Sequence, residues 1–260
     1  MCFHLFAIMQ AIISLYLGVF NGYKWILRSH YPCATGFQKE NPMKKALAIF
    51  AATTLLSAPA FALEVTLGGI KNGETIPSKF AFCTQDGKGK TKNGGNINPE
   101  IRWTGAPSGT KSYALIVVDP DVPTSFDDAN KEGKTLPESM PRQDFYHWVL
   151  VDIPVSAAKI KEGQDSKSHS ASGKPVGVTA YGVNGQNDYA SFMKGTFGGY
   201  DGPCPPWNDA RLHHYHFRIY ALNTPSLGLS GSFTGKQAME VIGKHTLAMG
   251  EAVGTYSNAK

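Results

Sequence analysis

The stretch that most constrains this chain is K-S-Y-A-L-I-V-V-D-P-D-V-P-T at residues 111–124. Tyr113, Leu115 and Val117 alternate with Ala114, Ile116 and Val118, so an extended segment here is apolar on both faces. Such a strand belongs in the middle of a sheet, covered from above and below. The run breaks at Asp119-Pro120-Asp121-Val122-Pro123. Proline has no N–H for a sheet ladder and biases the residue before it toward extended backbone. The strand is therefore expected to stop at Asp119, leaving two carboxylates at the mouth of the core. An Asp-Pro-Asp is also ordinary turn composition, because Asp side chains cap turns. What else reaches the same place decides between the two readings.

Two further segments read as strands. In D-F-Y-H-W-V-L-V-D-I-P, residues 144–154, Tyr146, Trp148 and Leu150 share one face and His147, Val149, Val151 and Ile153 the other. His147 is then the lone ionisable group on an apolar face, where a histidine is more often a satisfied core residue than a ligand. In L-H-H-Y-H-F-R-I-Y-A-L, residues 212–222, His213, Tyr215, Phe217, Ile219 and Ala221 form a face that becomes core, while the opposite face is mixed. Asp119 ends its strand, whereas His147 and His213 begin theirs. If the first strand runs antiparallel to the other two, all three polar groups arrive at one edge of the core. G-P-C-P-P at residues 202–206 leads into the third strand, and its prolines fix a loop able to present backbone N–H groups to a ligand.

Elsewhere, residues 63–70 and 79–83 read as edge strands, 84–99 as a polar loop and 100–104 as a short strand around Trp103. Residues 124–143 have no apolar period and form a long loop, either a cover over a site or a surface insertion. Residues 156–200 are irregular, with a strand near 176–183. Residues 234–250 are expected to be a helix. Thr234 and Gln237 have capping-box spacing, and Ala238, Val241, Ile242, His245 and Ala248/Met249 make one stripe. His245 in that stripe reads as packing or end-capping rather than chemistry.

The formal charge of +5 misleads, since Lys24, Arg28, Lys39, Lys44 and Lys45, offset only by Glu40, precede residue 63. The remainder is nearly neutral and carries no electrostatic footprint for nucleic acid. Met43-Lys44-Lys45, an apolar run and Ala60-Phe61-Ala62 have the form of a secretory signal peptide with cleavage near Ala62. Residues 43–62 are expected to be that signal, 1–42 an upstream extension or start-site artefact, and 63–260 one periplasmic or secreted domain. Phe3 to Phe20 is apolar and near the lower limit for a membrane helix. Beyond residue 62 only Cys83 and Cys204 remain, most simply one disulfide in an oxidising compartment, with two buried free thiols the alternative.

D-P-D-V-P-T, then H-W-V-L-V, then G-P-C-P-P with L-H-H-Y-H-F, taken in order, resemble the phosphatidylethanolamine-binding protein family. More narrowly they resemble its exported bacterial branch, often described as similar to Raf kinase inhibitor protein. The resemblance implies a mainly β fold (a β-rich α+β), with a large central antiparallel sheet, a second smaller sheet and peripheral helices. It also implies a small pocket for phosphate-like anions. Carried over by motif, the ligand-binding residues are Asp119, Asp121, Pro123, His147, Cys204 (through its backbone N–H), Pro205, Pro206, His213 and Tyr215. The sequence departs by its insertion at 124–143, by Tyr146 where some members have a second histidine, and by His214 where some have arginine.

The expected function is binding of a small anion or phospholipid head group, with His147, His213 and Tyr215 donating to it and Asp119 accepting. No catalysis and no cofactor are expected, because neither G-x-S-x-G nor a free thiol beside a base is evident. Two alternatives come from other classes. One is an inhibitor docked on a partner protease or kinase, whose binding would survive mutation of His147. The other is metal-dependent hydrolysis using two histidines and a carboxylate, or His214 with His216, which metal analysis would reveal.

Overall fold

The computed structural model describes residues 62–259, so the readings of 1–42 and of the signal peptide fall outside it, Ala62 apart. The strands are β1 (Glu64–Leu67), β2 (Cys83–Gln85), β3 (Thr91–Asn93), β4 (Ile101–Thr104), β5 (Ser112–Pro123), β6 (Arg142–Pro154), β7 (Lys159–Ile160), β8 (Gly173–Lys174), β9 (Gly177–Thr179), β10 (Gly182–Asn184), β11 (Thr196–Phe197), β12 (His213–Leu222) and β13 (Thr246–Tyr256). One α-helix, α1 (Gly235–His245), and a short 3₁₀ turn at Asp188–Ser191 complete the described elements.

The doubly apolar run is the inside of a six-stranded sheet of order β13-β12-β5-β6-β10-β9, antiparallel throughout. Tyr113, Leu115 and Val117 pack on one side with Trp148, Phe217 and Ile219, under a small sheet of order β1-β4-β7 that contributes Leu67, Ile101, Trp103 and Ile160. Ala114, Ile116 and Val118 pack on the other side with Val149 and Val151, against Ala238 and Ile242 of α1 and Phe233 before it. Each face of β5 thus has its own cover, which is why neither could be polar.

Several expectations about elements need correction. β5 does not stop at Asp119 but runs on to Pro123. Asp119 faces Phe145 and Val122 faces Gln143, so β5 carries one extra residue there. That bulge absorbs Pro120, whose missing N–H would otherwise break the ladder. Residues 78–80 form a turn rather than a strand, the loop at 84–99 contains the β2–β3 hairpin, and the strand near 176–183 is two strands, β9 and β10.

The helix begins as expected, with the Thr234/Gln237 capping box formed. It ends at His245 rather than Gly250, because Thr246 turns extended and the chain enters β13, which pairs along β12. Among the described residues, no helix is long and apolar enough to cross a membrane.

Candidate functional site

Three strand positions converge as antiparallel pairing requires, and two irregularities set their aim. On β6, Trp148 faces Val117 and Tyr146 faces Val118, leaving His147 as an extra residue. Strict alternation would put His147 on the Val149/Val151 side. The bulge instead turns it to the Tyr215 side, where its ring lies 5.1 Å from that of Tyr215, 5.0 Å from Phe145 and 5.6 Å from Tyr189. A bulge beside a site commonly re-aims one side chain in this way. The second irregularity is the β5 bulge, where the Asp121 N–H donates to Asp119 Oδ1 at 2.8 Å. Asp119 therefore caps the turn and faces the pocket as well.

The charges are tightly paired. His213 Nδ1 donates to Asp119 Oδ2 at 2.7 Å and Nε2 donates to Asp209 Oδ2 at 3.1 Å. Carboxylates only accept, so both ring nitrogens carry hydrogen and the ring is an imidazolium. Burial opposes that charge, but Asp119 and Asp209 outweigh it and hold the His213 pKa up at about 9. Arg142 grips Asp209 with two nitrogens, at 2.6 and 2.9 Å. Burial would raise the Asp209 carboxyl, yet His213 and Arg142 bring it down to about 2. A row of alternating charge, Asp119–His213–Asp209–Arg142, thus lies behind the pocket, compensated pair by pair. Because both His213 hydrogens are committed, it has none left for a ligand, contrary to the donor role expected of it.

His147 is the opposite case. It is fully buried, and that burial pushes its pKa below 6.5 against the raising influence of Asp119 and Asp201. Its Nδ1 lies 2.7 Å from the Asp201 carbonyl oxygen, which fixes the hydrogen on that nitrogen. Nε2 has no hydrogen-bond partner among the described residues. The Tyr215 hydroxyl is kept protonated, its pKa pushed well up by burial and by the adjacent Asp119.

The pocket so made is a cavity of about 50 Å³. Of the residues expected there, Asp119, His147, Cys204, Pro205, Pro206, His213 and Tyr215 line it. Asp121 and Pro123 do not. Asp121 is turned to Arg211 and to His214, whose N–H and Nδ1 lie 3.0 and 2.8 Å from its Oδ2. Pro123 ends β5, where its carbonyl accepts from Gln143. Reading the sequence missed the apolar wall, Val122, Phe126, Phe145, Tyr189 and Phe192, and the buried partners Asp209 and Arg142. Phe145 was visible as a neighbour of His147. Tyr189 and Phe192 lay in a stretch without period, and nothing local marked them.

Two loops close the site. Cys204 is joined to Cys83, with Cα atoms 4.9 Å apart, and the Asn258 amide donates to Cys83 Sγ and to the Pro205 carbonyl. The long loop ends at residue 141 rather than 143, because Arg142 and Gln143 already pair in β6. It lends Phe126 to the wall and is stitched down by Asn208, whose amide donates to the carbonyls of Asp128 and Lys134 at 2.9 and 3.1 Å. Its oxygen accepts the Asn130 N–H at 2.8 Å, and Leu136 of the same loop is buried. Among the described residues no cluster of metal-ligating side chains is found, and His214 and His216 bind Asp121 and Glu251 respectively.

Comparison with known proteins bears on the family and the fold. The family model for phosphatidylethanolamine-binding protein matches residues 68–257. The chain is 30% identical to the UPF0098 protein YbcL of Escherichia coli over 200 residues, 77% of this chain and 90% of that one. It is 32% identical to a UPF0098 protein of Aquifex aeolicus over 202 residues, 78% of this chain and 92% of the relative. The crystal structure of E. coli YbcL, described as a new member of the mammalian PEBP family, superposes with a TM-score of 0.56 at 27% identity, covering 75% of this chain and 98% of that one.

Proposed function

The chain belongs to the phosphatidylethanolamine-binding protein family, and from that premise we propose that it is an exported, non-catalytic binding protein for a small oxyanion, a phospholipid head group being one form. The exported, Raf kinase inhibitor-like branch is the subgroup its motifs fit. One observation carries the reading: a cavity of about 50 Å³, room for a group of a few atoms, walled by Asp119, His147, Tyr215 and the disulfide-held Cys204-Pro205-Pro206 turn. That wall has no serine, threonine or lysine, and its cysteine is already in a disulfide, so it offers no hydroxyl, amine or thiol nucleophile of the serine, lysine or cysteine type.

The charge pattern specifies how an oxyanion is held. Tyr215 donates through its hydroxyl and the Cys204 turn through a peptide N–H, while Pro205 and Pro206 have none to give. Asp119 is a carboxylate and repels a fully ionised phosphate, so it favours a ligand oxygen that still bears hydrogen. His147, neutral in the free protein, supplies a positively charged donor only by taking up a proton. Binding is thereby coupled to proton uptake and strengthens as pH falls.

A phosphate group has few heavy atoms, and at roughly 1.5 kcal/mol each its affinity is no better than about 10 μM. Titration of inorganic phosphate and phosphoethanolamine, followed by NMR, tests the reading. Saturable shifts at the Tyr215 and Cys204 resonances are expected, with Tyr215→Phe weakening both ligands about tenfold, the worth of one hydrogen bond to a charged group. Shifts elsewhere on the surface, indifferent to Tyr215→Phe, would contradict it.

A further inference from the structure

Against the polar pocket lies a second, larger cavity of about 440 Å³, within the size range of small-molecule sites. The two share Phe126, Tyr189, Phe192, Cys204 and Pro206 as common wall. The rest of the second cavity is Phe82, Ala129, Asn130 and Met193. Its polar side chains are both engaged, the Tyr189 hydroxyl donating to the Gly202 carbonyl and the Asn130 amide oxygen accepting the Trp207 N–H. Phe82 stacks on Tyr189 with ring centroids 4.5 Å apart, so the partition between the cavities is braced from the apolar side. Phe126 and Phe192, on separate loops, stay 49% and 61% exposed on this shared wall. Two half-open phenylalanines around an apolar cavity are unfavourable in water unless something apolar covers them.

We propose that this second cavity holds the apolar arm of the ligand whose polar end occupies the first, so that the ligand is an amphiphilic oxyanion bent over the Tyr189–Phe192–Cys204 wall. The inference rests on the oxyanion reading of the small pocket and adds where the remainder of the molecule goes. A free single-chain amphiphile and a lipid drawn from a membrane offer the same chemistry. The disulfide contributes one wall of both cavities and so holds head and arm sites at a fixed separation.

A homologous series tests it: inorganic phosphate, then ethyl, butyl, hexyl and octyl phosphate, each monomeric, titrated into the purified chain. Affinity should rise about fourfold per added methylene until the cavity is full and then level off. Ala129→Trp, which occupies the second cavity at a position that does not line the first, should abolish that rise while leaving inorganic phosphate binding unchanged. Affinity independent of chain length, with phosphate still bound, overturns the inference and leaves the oxyanion reading standing. Straight-chain alcohols of the same lengths separate the two further. If they bind with the same slope in wild type but not in Ala129→Trp while phosphate does not bind, the apolar site stands and the oxyanion reading falls. Co-sedimentation with phosphatidylethanolamine vesicles that Ala129→Trp weakens assigns the arm to a membrane lipid. Slope without co-sedimentation assigns it to a free amphiphile.

Discussion

Two histidines of one site end in opposite states because of what surrounds them. His213 lies between two carboxylates and keeps its charge, while His147 is boxed by aromatic rings and loses it. The sequence shows both at strand beginnings but not this difference, because Asp209 lies in a loop and alternation places His147 on the wrong face. Stability follows from the pairing. The His213 pKa is raised from 6.5 to about 9, so its contribution is complete below 6.5 and is lost as pH rises through about 9. The Asp209 pKa is lowered from 3.8 to about 2, so its contribution is present above 3.8 and lost as pH falls through about 2. Asp209→Asn removes one of the carboxylates holding the His213 proton and leaves Arg142 unpaired. Urea unfolding should show a loss of roughly 3–5 kcal/mol at pH 7 and an alkaline decline beginning at lower pH than in wild type. An unchanged alkaline profile would mean that Asp209 does not set the state of His213.

At the scale of elements, β5 and β6 were legible because large apolar side chains mark both their faces, and β12 because they mark one. β13 was not. Its buried positions include Gly250, Ala252 and Gly254, which leave no apolar signal, while Ala248 and Met249 continue the helical stripe. The glycines are there for space. A methyl at Gly250 would drive into the carbonyl of Leu63, and one at Gly254 would meet Ile76. Gly250→Ala should therefore destabilise by about 1–3 kcal/mol through overpacking, measured as a lower urea midpoint with an unchanged slope. The bulges at His147 and at Pro120-Asp121 were equally hidden. They depend on the register between strands, which only pairing reveals.

For the whole molecule, the paired sheets and the family were readable from three motifs in order, whereas the second cavity depends on loops that lack any period. The Cys83–Cys204 bond spans 121 positions and joins the β2 hairpin to the pocket turn. Chain entropy puts its worth at no more than roughly 5 kcal/mol. Reduction should lower Tm, and because Cys204 walls both cavities it should also weaken ligand binding at temperatures where the chain stays folded. Calorimetry with and without reductant, paired with a phosphate titration at 25 °C, checks both parts. A lower Tm with unchanged affinity would make the bond a staple only.

The central claim is that the pocket binds an oxyanion by taking up a proton on His147 while His213 stays a committed cation. The most direct measurement is an NMR pH titration of the two imidazole rings, from about pH 4 to 10, with and without saturating phosphate. In the free protein His147 should titrate below 6.5 and His213 near 9. Phosphate should move the His147 midpoint upward by about one unit for each tenfold gain in affinity between its neutral and charged forms, and should leave the state of His213 at neutral pH unchanged. A His147 midpoint that phosphate does not move, or a His213 ring that is neutral at pH 7, would contradict the account.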